Sequence, residues 1–172
     1  SASAPFLTAP APSEAELADL LRLAARVPDH GKLFPWRFIV LHGQAKADYA
    51  AAIAPLAAGQ PAPDKAAAPL AKLRNPPLTL AVVSRARDGE IPEWEQRLSS
   101  GAVCMTLIIA AQAMGYGANW ITDWYAYDAD AGRLLGLAEG ERVAGFVHLG
   151  SSAETPLERV RPDVAALVTE WG

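Results

Sequence analysis

Residues 101–111 read Gly-Ala-Val-Cys-Met-Thr-Leu-Ile-Ile-Ala-Ala, a run without a charged side chain and with a single hydroxyl. Wound as a helix, such a run is apolar nearly all round, so the rest of the fold must enclose it. The residues before it are polar, which predicts one long helix over Pro92 to Met114 whose first turns meet water and whose later turns are buried. Ser99, Ser100, Gly101 and Ala102 are small enough to let another helix approach closely. The element is expected at the centre of the domain, either as core alone or also as a seam between two copies of the chain.

The flanking segments supply layers for that helix to pack against. Ser13 and Glu16 have capping-box spacing, and Leu17, Leu20, Leu21 and Ala24 recur on one helical face, so a helix should end near Arg26. Pro28 cannot continue it, and Asp29 to Pro35 is expected as a loop feeding a strand over Arg37 to Leu41. The alanine-rich stretch from Gln44 to Ala58 suits a helix, Gly59 to Asp64 a surface loop, and a short helix should reach Arg74. Leu78 to Val83, bounded by prolines and a serine, reads as a buried strand, after which Arg85 to Glu90 returns to solvent. Further on come a short extended segment over Trp120 to Asp123, a helix capped by Asp128 through Leu135, and a strand over Val143 to Leu149. This mixture predicts an α+β fold, and no linker-like tract divides residues 1–172, so one domain is expected. Val164 to Trp171 is apolar yet has little of its own to pack against; it should dock on a partner subunit or on its own domain.

Several chemistries lack their residues. The net charge of -4 opposes a nucleic-acid binder, whose phosphate partner demands a concentrated basic face. Cys104 is the single cysteine, which excludes intramolecular disulfides and multi-cysteine zinc sites and fits a reducing, cytoplasmic compartment. Ser1 to Pro12 does not read as a signal peptide, and no stretch reaches the roughly 20 apolar residues that span a bilayer. His30, His42 and His148 are far apart, so no metal site is expected. No G-x-S-x-G elbow occurs. Gly115-Tyr116-Gly117 lacks the third glycine and follows a helix, which argues for helix termination instead of a dinucleotide turn.

Three ordered segments remain: R-V-P-D-H-G-K-L-F-P-W-R-F at 26–38, W-E-Q at 94–96 and G-Y-G-A-N-W at 115–120. Together they resemble the nitroreductase family, most closely its compact members, and the likeness runs through nearly the whole chain. It implies a central, mostly antiparallel sheet wrapped by helices, FMN held in pockets between the subunits of a homodimer, and a C-terminal segment exchanged with the partner. It also implies ping-pong electron transfer from NAD(P)H to a small-molecule nitroaromatic, quinone or related conjugated acceptor. The flavin carries the chemistry and side chains position and tune it. A non-catalytic flavin- or ligand-binding dimer is the alternative.

The resemblance also implies site residues. Ser1, Ala2 and Ser3 match the end of a segment that holds the FMN phosphate and ribityl chain, whose arginines would precede Ser1. Arg26 and His30 match cofactor-contacting positions at the end of the first helix and in the loop after it. Lys32 and Phe34 depart from the commoner Asn and Gln, and Lys32 is expected to supply a charge instead. Trp120, Ile121 and Thr122 match the flavin-contacting segment after the central helix. Arg159 and Arg161, in a P-x-x-R-x-R-P run, resemble residues that approach the phosphate. Ala110, Ala111, Gln112, Ala113, Met114 and Gly115 match a nicotinamide-nucleotide region.

Overall fold

A computed structural model describes residues 4–152 and 158–172 of the chain. The first helix, α1 (Glu14–Ala24), begins where the capping box places it: Ser13 Oγ accepts from the Glu16 backbone N–H at 3.3 Å, and the Glu16 carboxylate accepts from the Ser13 N–H at 2.8 Å. Two of the four orphan donors of the helix start are thereby satisfied or covered. Before it lies β1 (Leu7–Thr8), and after it β2 (Trp36–His42).

Next come α2 (Gly43–Ile53), α3 (Pro63–Ala66), α4 (Leu70–Arg74) and β3 (Leu78–Ser84). The alanine-rich helix is shorter than its composition suggests. It passes into a 3-10 turn over Ala54–Gly59, because Pro55 has no N–H to continue the ladder. The segment 59–64 lies at the surface as expected but is not loop throughout, because α3 starts at Pro63, a residue pre-set for a first helical position.

The long helix α5 (Glu93–Ala113) is followed by β4 (Gly117–Ile121), α6 (Ala129–Leu135) and β5 (Arg142–Ser152). β4 starts earlier than Trp120 because Gly117 enters the sheet. A Cβ there would stand 2.6 Å from Leu7 Cδ2 and 3.1 Å from Ser152 Cβ, so glycine lets the strand lie this close without displacing the Leu7 side chain.

The strands pair antiparallel throughout, in the order β1-β5-β3-β2, with β4 also on β5. All seven residues of β3 are buried, the polar Thr79 and Ser84 included, as its largely apolar sequence requires of a central strand. One face carries Leu78, Leu80, Val82, Val147 and Leu149 against α1 and α5, where Val103, Cys104, Leu107 and Ala111 are fully enclosed. The other carries Ala81 and Phe146 against α2, α4 and α6. Each enclosed Leu or Val contributes about 1.5–3 kcal/mol, so the sheet and α5 form the rigid frame on which loops are placed. No helix among the described residues is long and apolar enough to cross a membrane.

Candidate functional site

The loop after α1 is held by α5. Ser99 Oγ donates to the Pro28 carbonyl at 2.6 Å and Ser100 Oγ to the Pro35 carbonyl at 3.0 Å, gripping both ends of the segment. Inside it, the Asp29 carboxylate accepts from the backbone N–H groups of Leu33 (3.1 Å) and Phe34 (2.9 Å). Gly31, Lys32 and Phe34 all adopt positive φ, at 76°, 52° and 47°. For Lys32 and Phe34 this costs on the order of 1–3 kcal/mol each, and the clamps from Asp29, Ser99 and Ser100 are what hold it. The small residues of α5 thus serve partly as loop anchors.

On this loop His30 Nδ1 meets Glu95 Oε2 at 2.6 Å. Arg26 and Lys32 are exposed and make no ion pair among the described residues. W-E-Q therefore divides into three roles. Trp94 faces solvent, Glu95 holds His30, and the buried Gln96 amide bridges the Arg87 and Ile91 carbonyls at 2.8 and 2.9 Å, fixing the segment before α5. The sequence singled out this motif but not these partners.

Trp120 belongs to β4 and approaches α5 at another point, beside Gly101. Its indole spreads across Gly145 of β5, where a Cβ would overlap Nε1 and Cδ1 and stand 3.1 Å from Cε2. Its Nε1 donates to the Ala144 carbonyl at 3.4 Å, and its far edge lies 4.0 Å from where a Cβ on Gly101 would be. The ring is 37% exposed, a flat apolar surface open on one side. Ile121 is half-buried beside the second core, and Thr122 is exposed.

Gly101 and Ala144 also line a cleft of about 820 Å³, together with Arg97, Tyr127, Arg133 and Glu139. None of the residues expected in the site is among its lining residues, though Trp120 adjoins two of them. One wall is braced by Glu141, which accepts from Arg37 Nε and Nη2 at 2.7 and 2.6 Å and from the Ala138 N–H at 2.9 Å. The hydrogen bonds from Arg37 hold the Glu141 carboxyl below the usual carboxylate range.

Between the two groups runs an exposed apolar stripe. Trp94, Leu98, Met105 and Ile109 of α5 are 69%, 54%, 48% and 55% exposed, at spacings that put them on one side of the helix. Glu95 and Gly101 are about 120° apart around α5, with the stripe between them. The loop of Arg26, His30 and Lys32 thus borders one flank of the stripe and Trp120 the other.

The remaining expected residues are dispersed. Ser1, Ala2 and Ser3 lie outside the described residues. Arg159 is exposed without an ion pair among the described residues, while Arg161 is paired with Glu158 at 2.7 Å. Of the 110–115 stretch, Ala110 and Ala111 point into the core, Met114 is half-buried, and Gln112, Ala113 and Gly115 reach the surface. Val160, Val164, Leu167, Val168 and Trp171 of the tail are all exposed. Among the described residues no group of His, Cys, Asp or Glu is arranged to hold a metal.

The family model described as "Nitroreductase family" matches residues 4–151 of the chain, from the first described turn into the last residues of β5. This chain belongs to the nitroreductase family. It is 32% identical over 154 residues to the Escherichia coli (strain K12) protein named "Putative NAD(P)H nitroreductase YdjA", covering 87% of this chain and 82% of that one. In fold it is similar to the nitroreductase-like family protein from Bacillus cereus, with a TM-score of 0.86 at 20% identity, covering 99% and 91% of the two chains. It is also similar to a mutant of the FMN and NADPH-dependent nitroreductase NfnB derived from Sphigopyxis sp. strain HMH, with a TM-score of 0.76 at 20% identity and 99% and 94% coverage. The α+β nitroreductase fold expected of the sequence is the fold observed.

Proposed function

We propose that this chain is a cytoplasmic FMN-dependent oxidoreductase that takes electrons from NAD(P)H and passes them to nitroaromatic, quinone or related conjugated acceptors. The reading makes residues 1–172 one domain and the working unit a homodimer. The observation that carries it is the arrangement around α5: cationic loop, apolar stripe and flat indole side by side on one face of the domain. A second copy seated on the stripe would cover apolar surface that monomers rarely leave exposed, and would close both flanks at once. The apolar C-terminal segment, exposed along its length, is suited to crossing onto that copy.

The residues present fit FMN. A flat ring with an anionic tail needs an apolar face and unneutralised cations; Trp120 over Gly145 offers the first, and Arg26, Lys32 and Arg159 the second. Ser1, Ala2, Ser3 and Arg161 would share the phosphate and ribityl chain, while Ile121 and Thr122 would meet the ring. Gln112, Ala113 and Gly115, beside the inward-facing Ala110 and Ala111 and the half-buried Met114, would border the nicotinamide donor. When bound, FMN supplies a two-electron carrier that is reduced by NAD(P)H and reoxidised by the acceptor in alternation, the ping-pong scheme. His30 and the cations orient its polar edge and stabilise negative charge there.

The names of the Escherichia coli relative and of the NfnB enzyme support the NAD(P)H and FMN parts of this reading. The test is direct. Protein purified with FMN should be yellow and should bleach under NAD(P)H without oxygen, and Arg26→Ala or His30→Ala should lower FMN retention about tenfold with little change in melting temperature. A folded, colourless protein that ignores added FMN refutes it. FMN uptake with NAD(P)H oxidation no faster than that of free flavin refutes the enzymatic part.

A further inference from the structure

The contact between the loop and α5 at His30 has a consequence for the cofactor. A carboxylate oxygen can only accept, so the 2.6 Å contact from Glu95 Oε2 makes Nδ1 of His30 the donor and the protonated nitrogen. The other ring nitrogen, Nε2, has no hydrogen-bond partner among the described residues, and the side chain is 63% exposed. The imidazole is therefore fixed in orientation by one nitrogen and free to bind with the other.

The support is rigid on both sides. Glu95 sits in the first turn of α5, and the next residue, Gln96, is buried and tied to two backbone carbonyls. His30 begins a 3-10 turn within a loop whose ends, Pro28 and Pro35, are held by Ser99 and Ser100. Three left-handed residues follow it within four positions, a conformation the chain would not keep without those anchors.

We propose that Glu95 is a positioning residue of the cofactor site: by holding His30 through Nδ1, it presents Nε2 to the polar edge of the bound flavin. The inference rests on the FMN reading above and goes beyond it by giving a role to an acid outside the family-like cofactor set. The arrangement follows a general logic, in which the partner of one ring nitrogen decides what the other can do. Arg26 and Lys32 supply charge on the same loop. Glu95 supplies direction.

A purely structural role for Glu95 is the competing explanation, since an acid in the first turn favours its helix. The two are separated by combining substitutions. Glu95→Gln, His30→Ala and the double variant are prepared as full chains, and FMN dissociation constants are read from flavin fluorescence. Nitrogen-15 shifts of the His30 ring are measured before FMN is added. The expected results are a ring protonated at Nδ1 in the unaltered protein, a shift toward mixed tautomers in Glu95→Gln, and FMN affinity about tenfold weaker. In the His30→Ala background, Glu95→Gln should change FMN affinity less than twofold. Glu95→Asp, one methylene shorter, should fall between the two.

Equal affinity in Glu95→Gln and the unaltered protein overturns the proposal, as does an equal loss whether or not His30 is present. An Nδ1 that is unprotonated in the unaltered protein overturns it too. Failure of the unaltered protein to take up FMN overturns the cofactor reading and this proposal together; uptake with any of the former results overturns the proposal alone.

Discussion

Gly145 is where a single methyl group should disturb the candidate site most. In Gly145→Ala the added Cβ overlaps the indole of Trp120, and the atoms it meets belong to the middle of a rigid ring instead of the end of a flexible chain. The backbone on the other side is β5, paired with both β3 and β4, so the ring must move. Trp120 is already 37% exposed, and lifting it off β5 uncovers on the order of 150 Å². At about 25 cal/mol per Å² that sets a ceiling of about 4 kcal/mol. Partial relief by tilting brings the cost toward the range for an overpacked site, about 1–3 kcal/mol, with about 2 kcal/mol expected. For a chain of this length, that lowers the melting temperature by about 4–8 °C. The assay is thermal and urea denaturation of Gly145→Ala, Trp120→Ala and the double variant, followed by circular dichroism. With the indole removed, the three atoms nearest the added methyl are gone and alanine favours a strand over glycine, so Gly145→Ala should cost about zero in the Trp120→Ala background. An equal cost in both backgrounds would show that the methyl strains β5 itself and would refute the packing argument.

Two further expectations rest on separate parts of the structure. His148 is fully buried with Nδ1 2.9 Å from Thr79 Oγ1, and burial together with the nearby Lys46 and Lys72 pushes its pKa down to about 3. Its ordinary value is near 6.5, so between about 3 and 6.5 the unfolded chain binds the extra proton. Stability present in full above pH 6.5 should then fall with acidification, by at most about 1.4 kcal/mol per pH unit, and His148→Gln should flatten the slope in urea titrations. If Met105 and Ile109 face a second copy, Ile109→Arg should leave the circular dichroism spectrum unchanged and convert a dimer to a monomer in sedimentation, because an unpaired charge would have to be buried. A variant that remains dimeric would place the seam elsewhere.

Parts of this molecule are legible from local chemistry alone. The box of Ser13 and Glu16 sets the start of α1, the apolar run at 101–111 commits α5 to the interior, and the proline-bounded segment at 78–84 becomes the buried central strand. Each signal lies within a few residues of the structure it specifies, and its energy is won largely by those residues. Other features have no local signature. β1 is two residues long and exists through its pairing with Ser151 and Ser152, and β4 extends back to Gly117 through its pairing with Gly150. The positive φ of Lys32 and Phe34, the contact of His30 with Glu95 and the seat of Trp120 on Gly145 join residues distant in sequence. The residue types at the site could be read from the chain. Their orientation was decided by tertiary packing, since hydrogen bonds and close contacts depend on which surfaces the folded sheet and helices bring together.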